Sequence, residues 1–182
     1  YTATTETSTP VENSDPVTIN RESDNILVIN YLDLKTRKSD LKDVYFMDAL
    51  INLFRENGVE IGNPWQHKIQ YKKTYMEMDT MFTEDSWFEV NYHFYINPDL
   101  EPSRMNAIRA VAERPDIGQL SINGNILEKN QDAYWIDKNF PVYNIGKHLK
   151  PGKNTLTLHA GRMNILAEIM PVYIMGNFLV KP

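Results

Sequence analysis

Residues 86–96 read SWFEVNYHFYI, and their pattern decides the fold. Phe88, Val90, Tyr92, Phe94 and Ile96 alternate with Trp87, Glu89, Asn91, His93 and Tyr95. A period of two with one apolar set is what a strand with one buried face requires, because successive side chains of a strand point to opposite sides.

The same reading extends along the chain after Trp65. AIRAVAE (107–113), GQLSIN (118–123), YWID (134–137), NTLTLHA (154–160) and AEIMPVYIMGNFLV (167–180) are further strand-like runs separated by Pro, Gly and Asn. Six or more strands with short polar turns and no alternating helices predict a mainly β protein, an antiparallel β-sandwich. The sequence contains no internal repeat.

Upstream, NILVINYLDL (25–34) is a continuous β-branched and aliphatic run of strand length, expected to be buried on both faces. Leu41, Val44, Met47, Ile51 and Phe54 then recur at spacings of three and four, with Ser39 or Asp40 available as N-cap and Asn57-Gly58 as stop signal. This spacing predicts one substantial N-terminal helix between about residues 40 and 57, packed outside the sandwich. Residues 1–24 are rich in Thr, Ser and acids with two prolines, the composition of a linker, although TATTETST and PVTIN could each pair as a short strand. The expected organisation is a connector or edge of a preceding domain over 1–24, a strand-plus-helix appendage over 25–64, and the sandwich over 65–182.

Composition narrows the function. A chain of 182 residues can bury one sizeable core. Its net charge of −5, with no basic run longer than YKK, argues against a nucleic-acid or anionic-membrane footprint. The absence of cysteine removes thiol catalysis, thiolate zinc sites and disulfides. No apolar stretch is long enough to span a bilayer, and residues 1–24 lack the apolar core of a signal peptide, so the chain reads as a soluble mature piece that a longer protein could contain. Aromatics at 11%, with ten Tyr and three Trp, suit sheets and surfaces that stack flat ligands, a hint towards carbohydrate.

Two short loops carry the turn chemistry. Asn123-Gly124 stands where an aliphatic strand ends, and this dipeptide readily takes positive φ at both centres of a tight hairpin. In Pro151-Gly152 followed by Asn154, proline fixes φ and glycine supplies a left-handed position before TLTL resumes the strand.

The succession LSINGN, then YWIDKNFPVYNIGKHLKPGKNTLTL, resembles the sugar-binding domain of glycoside hydrolase family 2 and its relatives, a galactose-binding-like jelly roll. Asn123, Gly124, Asp137, Leu149, Gly152, Asn154, Leu156 and Leu158 carry the likeness, and Glu168, Tyr173, Gly176 and Phe178 extend it over roughly 25–182. The resemblance implies an accessory module of a large multidomain bacterial glycoside hydrolase, secreted to the periplasm or beyond the cell for polysaccharide degradation, with neighbouring domains of that enzyme and a glycan as partners. It also implies that catalysis lies elsewhere, because a separate barrel carries the catalytic acids in such enzymes and none fits here. Asn123, Gly124, Gly152 and Asn154 transfer as turn residues that define the fold.

Nothing in the residues suggests an enzyme in its own right. Glu84, Asp85, Glu89, Glu113, Asp116, Asp137 and Glu168 offer many acid pairs but no distinctive spacing for glycoside hydrolysis. His67, His93, His148 and His159 show no HxxxH or HxH spacing for zinc, and GxSxG, P-loop and GxGxxG are absent. No cofactor is expected. Jelly rolls of this type often carry a structural calcium ion, for which acid-rich loops such as TEDS (83–86) could supply oxygens.

A sugar site needs an exposed aromatic plane beside hydroxyl partners, and the candidates are Trp65, Trp87 and Trp135, the last flanked by Tyr134 and sharing a side with Asp137. Tryptophans are highly buried on average, so each also reads as a packing residue. In an extended YWID, Ile136 has the stronger claim to burial, which would place Tyr134 and Ile136 inward and Trp135 and Asp137 outward as stacking plane and acceptor. Two readings follow: a non-catalytic, carbohydrate-associated, sugar-binding module, or a purely structural interdomain module with no ligand.

Overall fold

In the computed structural model residues 22–60, 79–129 and 133–180 are described. They form ten strands, β1 (Asn25–Ile29), β2 (Tyr31–Thr36), β3 (Asp40–Tyr45), β4 (Phe88–Ile96), β5 (Arg109–Ala112), β6 (Gln119–Ile122), β7 (Asn125–Ile126), β8 (Val142–Asn144), β9 (Gly152–Ala160) and β10 (Val172–Gly176), with helices α1 (Phe46–Glu56) and α2 (Pro102–Asn106). A four-stranded sheet has the order β1-β10-β5-β8 and a six-stranded sheet the order β3-β2-β4-β9-β6-β7, and every pairing in both is antiparallel. The expectation of a mainly β, antiparallel chain holds.

β4 shows why. Phe88, Val90, Tyr92, Phe94 and Ile96 are all buried, and the strand pairs along its whole length with β9. Their side chains join Leu156 and Leu158 of β9, Leu120 and Ile122 of β6, and Ala110, Val172 and Ile174 of the other sheet in one cluster. Tyr92 keeps its hydroxyl satisfied by donating to the Met170 carbonyl at 2.7 Å, and burial pushes its pKa well up.

Three expectations need correction. NILVINYLDL is two strands, not one: β1 ends at Ile29 and pairs with β10, while β2 begins at Tyr31 in the other sheet. Asn30 is the step between the sheets, and its carbonyl accepts from the Phe46 amide at 3.0 Å. The segment expected as an appendage thus supplies three strands to the two sheets, and β2 lies between β3 and β4.

The helix starts at Phe46, six residues later than the spacing suggested. Ser39 is no helix cap but closes the β2–β3 turn, where Thr36 Oγ1 accepts from the Lys38 and Ser39 amides and donates to Glu56 at 2.6 Å. The register between β2 and β3 shifts between Leu32 and Leu34, opposite Asp43 at φ +51°. One extra residue in a bulged strand turns a spacing of two into three, so Leu41 and Val44 both pack on the core from a strand while mimicking helical spacing. From Phe46 the helix buries Ala49, Leu50, Leu53 and Phe54 in the same core cluster as Leu32 and Leu34 of β2, so it is part of the core rather than an outer attachment. It stops at Asn57-Gly58 as expected, with Gly58 at φ +88°.

Third, AEIMPVYIMGNFLV is a strand only over Val172–Gly176. Ala167 and Ile169 are buried without ladder partners, as a core-filling loop.

Candidate functional site

The two turn segments meet at one end of the six-stranded sheet. Asn123 has φ +50° and Gly124 φ +82°, the two left-handed residues that a two-residue hairpin between β6 and β7 needs. Gly152 has φ +84° at the start of β9. Asn154, fully buried, accepts from Asn123 Nδ2 at 2.8 Å and from the Lys150 amide at 3.0 Å, and donates to the carbonyls of Lys150 and Gly152 at 2.7 and 3.0 Å. Asn123 also donates to the His148 carbonyl and accepts from the Thr155 amide. These amides tie one turn to the other; they are saturated and hold no group free for chemistry.

The second place is the outer face of the four-stranded sheet. YWID is not extended there. The Trp135 amide donates to the Phe140 carbonyl, the Phe140 amide to the Asp137 carbonyl, and the Asn139 amide to Asp137 Oδ1 at 2.7 Å, so Asp137 initiates a tight turn. The expected orientation is reversed as a result. Tyr134 and Ile136 point outward, 52% and 63% exposed, while Trp135 folds back onto the sheet, its ring 5.0 Å from Tyr173 and 6.3 Å from Phe140. Trp135, Phe140 and Tyr173 pack with Val111, Val142 and Met175 in a second, smaller cluster. Trp135 is half-buried rather than hidden, and Asp137 is exposed.

Around this aromatic surface sit groups that the sequence named singly or not at all. Arg114, in a left-handed conformation at φ +41°, reaches Glu168 at 3.1 Å, and its amide donates to the Asn139 carbonyl. Glu113 has its carboxyl pushed above the usual range by burial, then by the charges of Glu168 and Asp137, with Arg114 opposing. Burial and the Glu113 charge also raise the Tyr173 phenol. Asp137, Glu113, Glu168, Arg114, Trp135 and Tyr173 therefore form one patch. Nothing in the spacing of the sequence reveals it, because β5, the 134–140 turn and β10 meet only in the folded sheet.

Glu113 gives a signed pH effect. An acid whose folded pKa is raised contributes stability below its ordinary pKa, 4.5 here, and loses it as pH rises through the folded value. Glu113→Gln should therefore melt above the parent at neutral pH, with the difference vanishing below the ordinary glutamate range. Equal melting temperatures at both pH values would contradict this.

Of the other candidates, Trp87 lies half-buried on the outward side of the six-stranded sheet, its ring 6.4 Å from that of His159. Trp65 and His67 fall outside the described residues. In TEDS, Asp85 pairs with Arg37, and among the described residues no three His, Asp or Glu side chains are placed to hold a metal ion. No described helix is long and apolar enough to cross a membrane.

A cavity of about 910 Å³ opens between β1 of one sheet and β2 and β4 of the other. Leu32, Phe94, Ile96 and Ile174 form its floor, and Val28, Tyr31, Tyr95, Leu179 and Val180 leave apolar surface exposed at its rim.

Against known proteins, the chain matches no family model, and no curated protein matches it.

Proposed function

We propose that the chain is a non-catalytic, carbohydrate-associated, sugar-binding accessory module of a larger glycoside hydrolase, acting in the periplasm or outside the cell, and that its sheets form a jelly-roll β-sandwich of the galactose-binding-like type. The antiparallel pairing of the first and last strands among the described residues, β1 with β10, supports that topology. One observation carries the functional reading: a half-exposed indole and an exposed tyrosine stand beside a carboxylate turn and an Arg114–Glu168 pair on a sheet face. An aromatic plane stacks on the C–H face of a sugar, while carboxylate and guanidinium groups take its hydroxyls. The ion pair and the packed Trp135 hold these groups in place before any ligand arrives.

The test is a panel of soluble polysaccharides in native affinity electrophoresis, followed by calorimetry on whichever binds. Tyr134→Ala and Asp137→Ala, both at exposed positions, should weaken binding about tenfold while leaving the melting temperature near that of the parent. Trp135→Ala should lose both affinity and stability, since its ring also packs the sheet. Aryl glycosides should not turn over; turnover abolished by Glu168→Gln would overturn the non-catalytic assignment. A purely structural interdomain module is the second reading, and the apolar rim of the cavity favours it, since a neighbouring domain could cover Val28, Tyr31 and Leu179. Retained solubility and melting behaviour with no glycan bound would select that alternative.

A further inference from the structure

The outward side of β4 is not an ordinary solvated sheet face. Its side chains in order are Glu89, Asn91, His93 and Tyr95, with Trp87 just before the strand, and across from these four on β9 stand His159, Thr157, Thr155 and Lys153. Short amide, hydroxyl and imidazole groups dominate where long flexible charged chains are common. They are also fixed to one another. Asn91 donates to Glu89 at 3.0 Å and accepts from Thr157 at 2.7 Å, while His93 bridges Thr155 at 3.0 Å and Asp33 at 3.1 Å. Asp33 is anchored in turn by the Asp43 amide and Lys42; burial alone would raise its carboxyl, but these hydrogen bonds together with that of His93 hold it below the usual range.

Both ring nitrogens of His93 are engaged by these bonds, while Asn91 keeps a second N–H and Thr157 its lone pairs for a ligand. The formal charges balance, with Asp33, Asp40 and Glu89 against Lys35, Lys42 and Lys153, so the strip neither attracts nor repels a polyanion. An aromatic residue closes each end. Trp87 is half-buried and Tyr95 is 74% exposed. They stand eight residues apart on one face, about 27 Å at roughly 3.4 Å per residue.

We infer that this strip is a second glycan surface, which takes a neutral, linear polysaccharide lying along β4 from Trp87 to Tyr95. The inference rests on the carbohydrate reading above but uses the opposite sheet and asks for a different ligand form. A patch the size of the Trp135 site can be filled by one or two sugars, whereas a strip of this length, with stacking at both ends and hydrogen bonds between, gains with each unit added until both aromatics are covered.

Direct tests are affinity electrophoresis in mixed-linkage β-glucan, xylan and galactomannan, and calorimetry with cello- and xylo-oligosaccharides from disaccharide to hexasaccharide. The hexasaccharide of the preferred series should bind at least about tenfold tighter than the disaccharide, and Tyr95→Ala or Trp87→Ala should each remove about tenfold of that gain. Tyr95 is exposed enough to be truncated without unfolding; thermal melts check Trp87→Ala. Parent binding that is independent of chain length, or unchanged in both variants, overturns the strip. Binding lost only in Tyr134→Ala and Asp137→Ala overturns it while sustaining the Trp135 site. No binding by the parent to any of these glycans overturns both.

Discussion

Asn154→Ala should lower the melting temperature by about 6 to 12 °C, although it touches neither proposed glycan surface. Asn154 is 0% exposed and makes four hydrogen bonds with its side-chain amide. Alanine leaves the Lys150 amide and the carbonyls of Lys150 and Gly152 without that partner, and frees Asn123 from the contact that locks the β6–β7 turn to the start of β9. Each orphaned buried group costs about 1 to 3 kcal/mol. Asn123 keeps its bond to the His148 carbonyl, so a net loss of about 3 kcal/mol is expected, and a chain of this length loses roughly 2 to 4 °C per kcal/mol. Asn154→Asp keeps the shape and one acceptor but sets a carboxylate against two carbonyls, so at neutral pH it should melt no higher than Asn154→Ala. A drop of under about 2 °C for alanine would show that the two turns are held independently.

This pair also marks how far the sequence could be read. Asn123 and Asn154 are legible one at a time, because Asn-Gly and Pro-Gly have local backbone preferences that their neighbours do not alter. The bond between them is not, since thirty-one residues and the β6–β9 register bring them together. The same holds elsewhere. β4 was legible because one face is buried along its whole length, so the period of two survives folding. The helix start was misread because a bulge at Asp43 spaces Leu41 and Val44 like helical neighbours. NILVINYLDL hides a change of sheet at Asn30, since both halves bury apolar side chains and no glycine or proline marks the step. In YWID, the aspartate expected as a ligand acceptor initiates a turn, and that turn sends the tryptophan to the sheet. The Glu113–Arg114–Glu168 group has no sequence signal because Glu113 and Arg114 follow β5 while Glu168 lies in the loop before β10.

Close packing against backbone is the feature least visible in sequence, and it gives the other large effect. Gly146→Ala should destabilise the fold by about 3 kcal/mol or more, seen as a melting temperature at least about 10 °C lower or as insoluble protein. Gly146 is buried at the start of a 3₁₀ turn, Gly146–His148, and its amide donates to the Ile108 carbonyl at 3.1 Å. A methyl group added there would lie 2.6 Å from Asn106 Cα and closer still to the carbonyl carbon and oxygen of Asn106. The obstacle is backbone at the end of α2, which cannot rotate away as a side chain would. Relief requires α2 or the 3₁₀ turn to move, and Ile108 and Ile145, both buried in the main core, would move with them. Two controls separate sterics from backbone strain. Gly124→Ala meets nothing within 4 Å but sits at φ +82°, so it should lose only the left-handed penalty of about 1 to 2 kcal/mol. Gly161→Ala meets nothing within 4 Å and has no positive φ, so it should melt with the parent. If Gly146→Ala instead melts with Gly161→Ala, the approach of α2 to the 3₁₀ turn is looser than the fold requires.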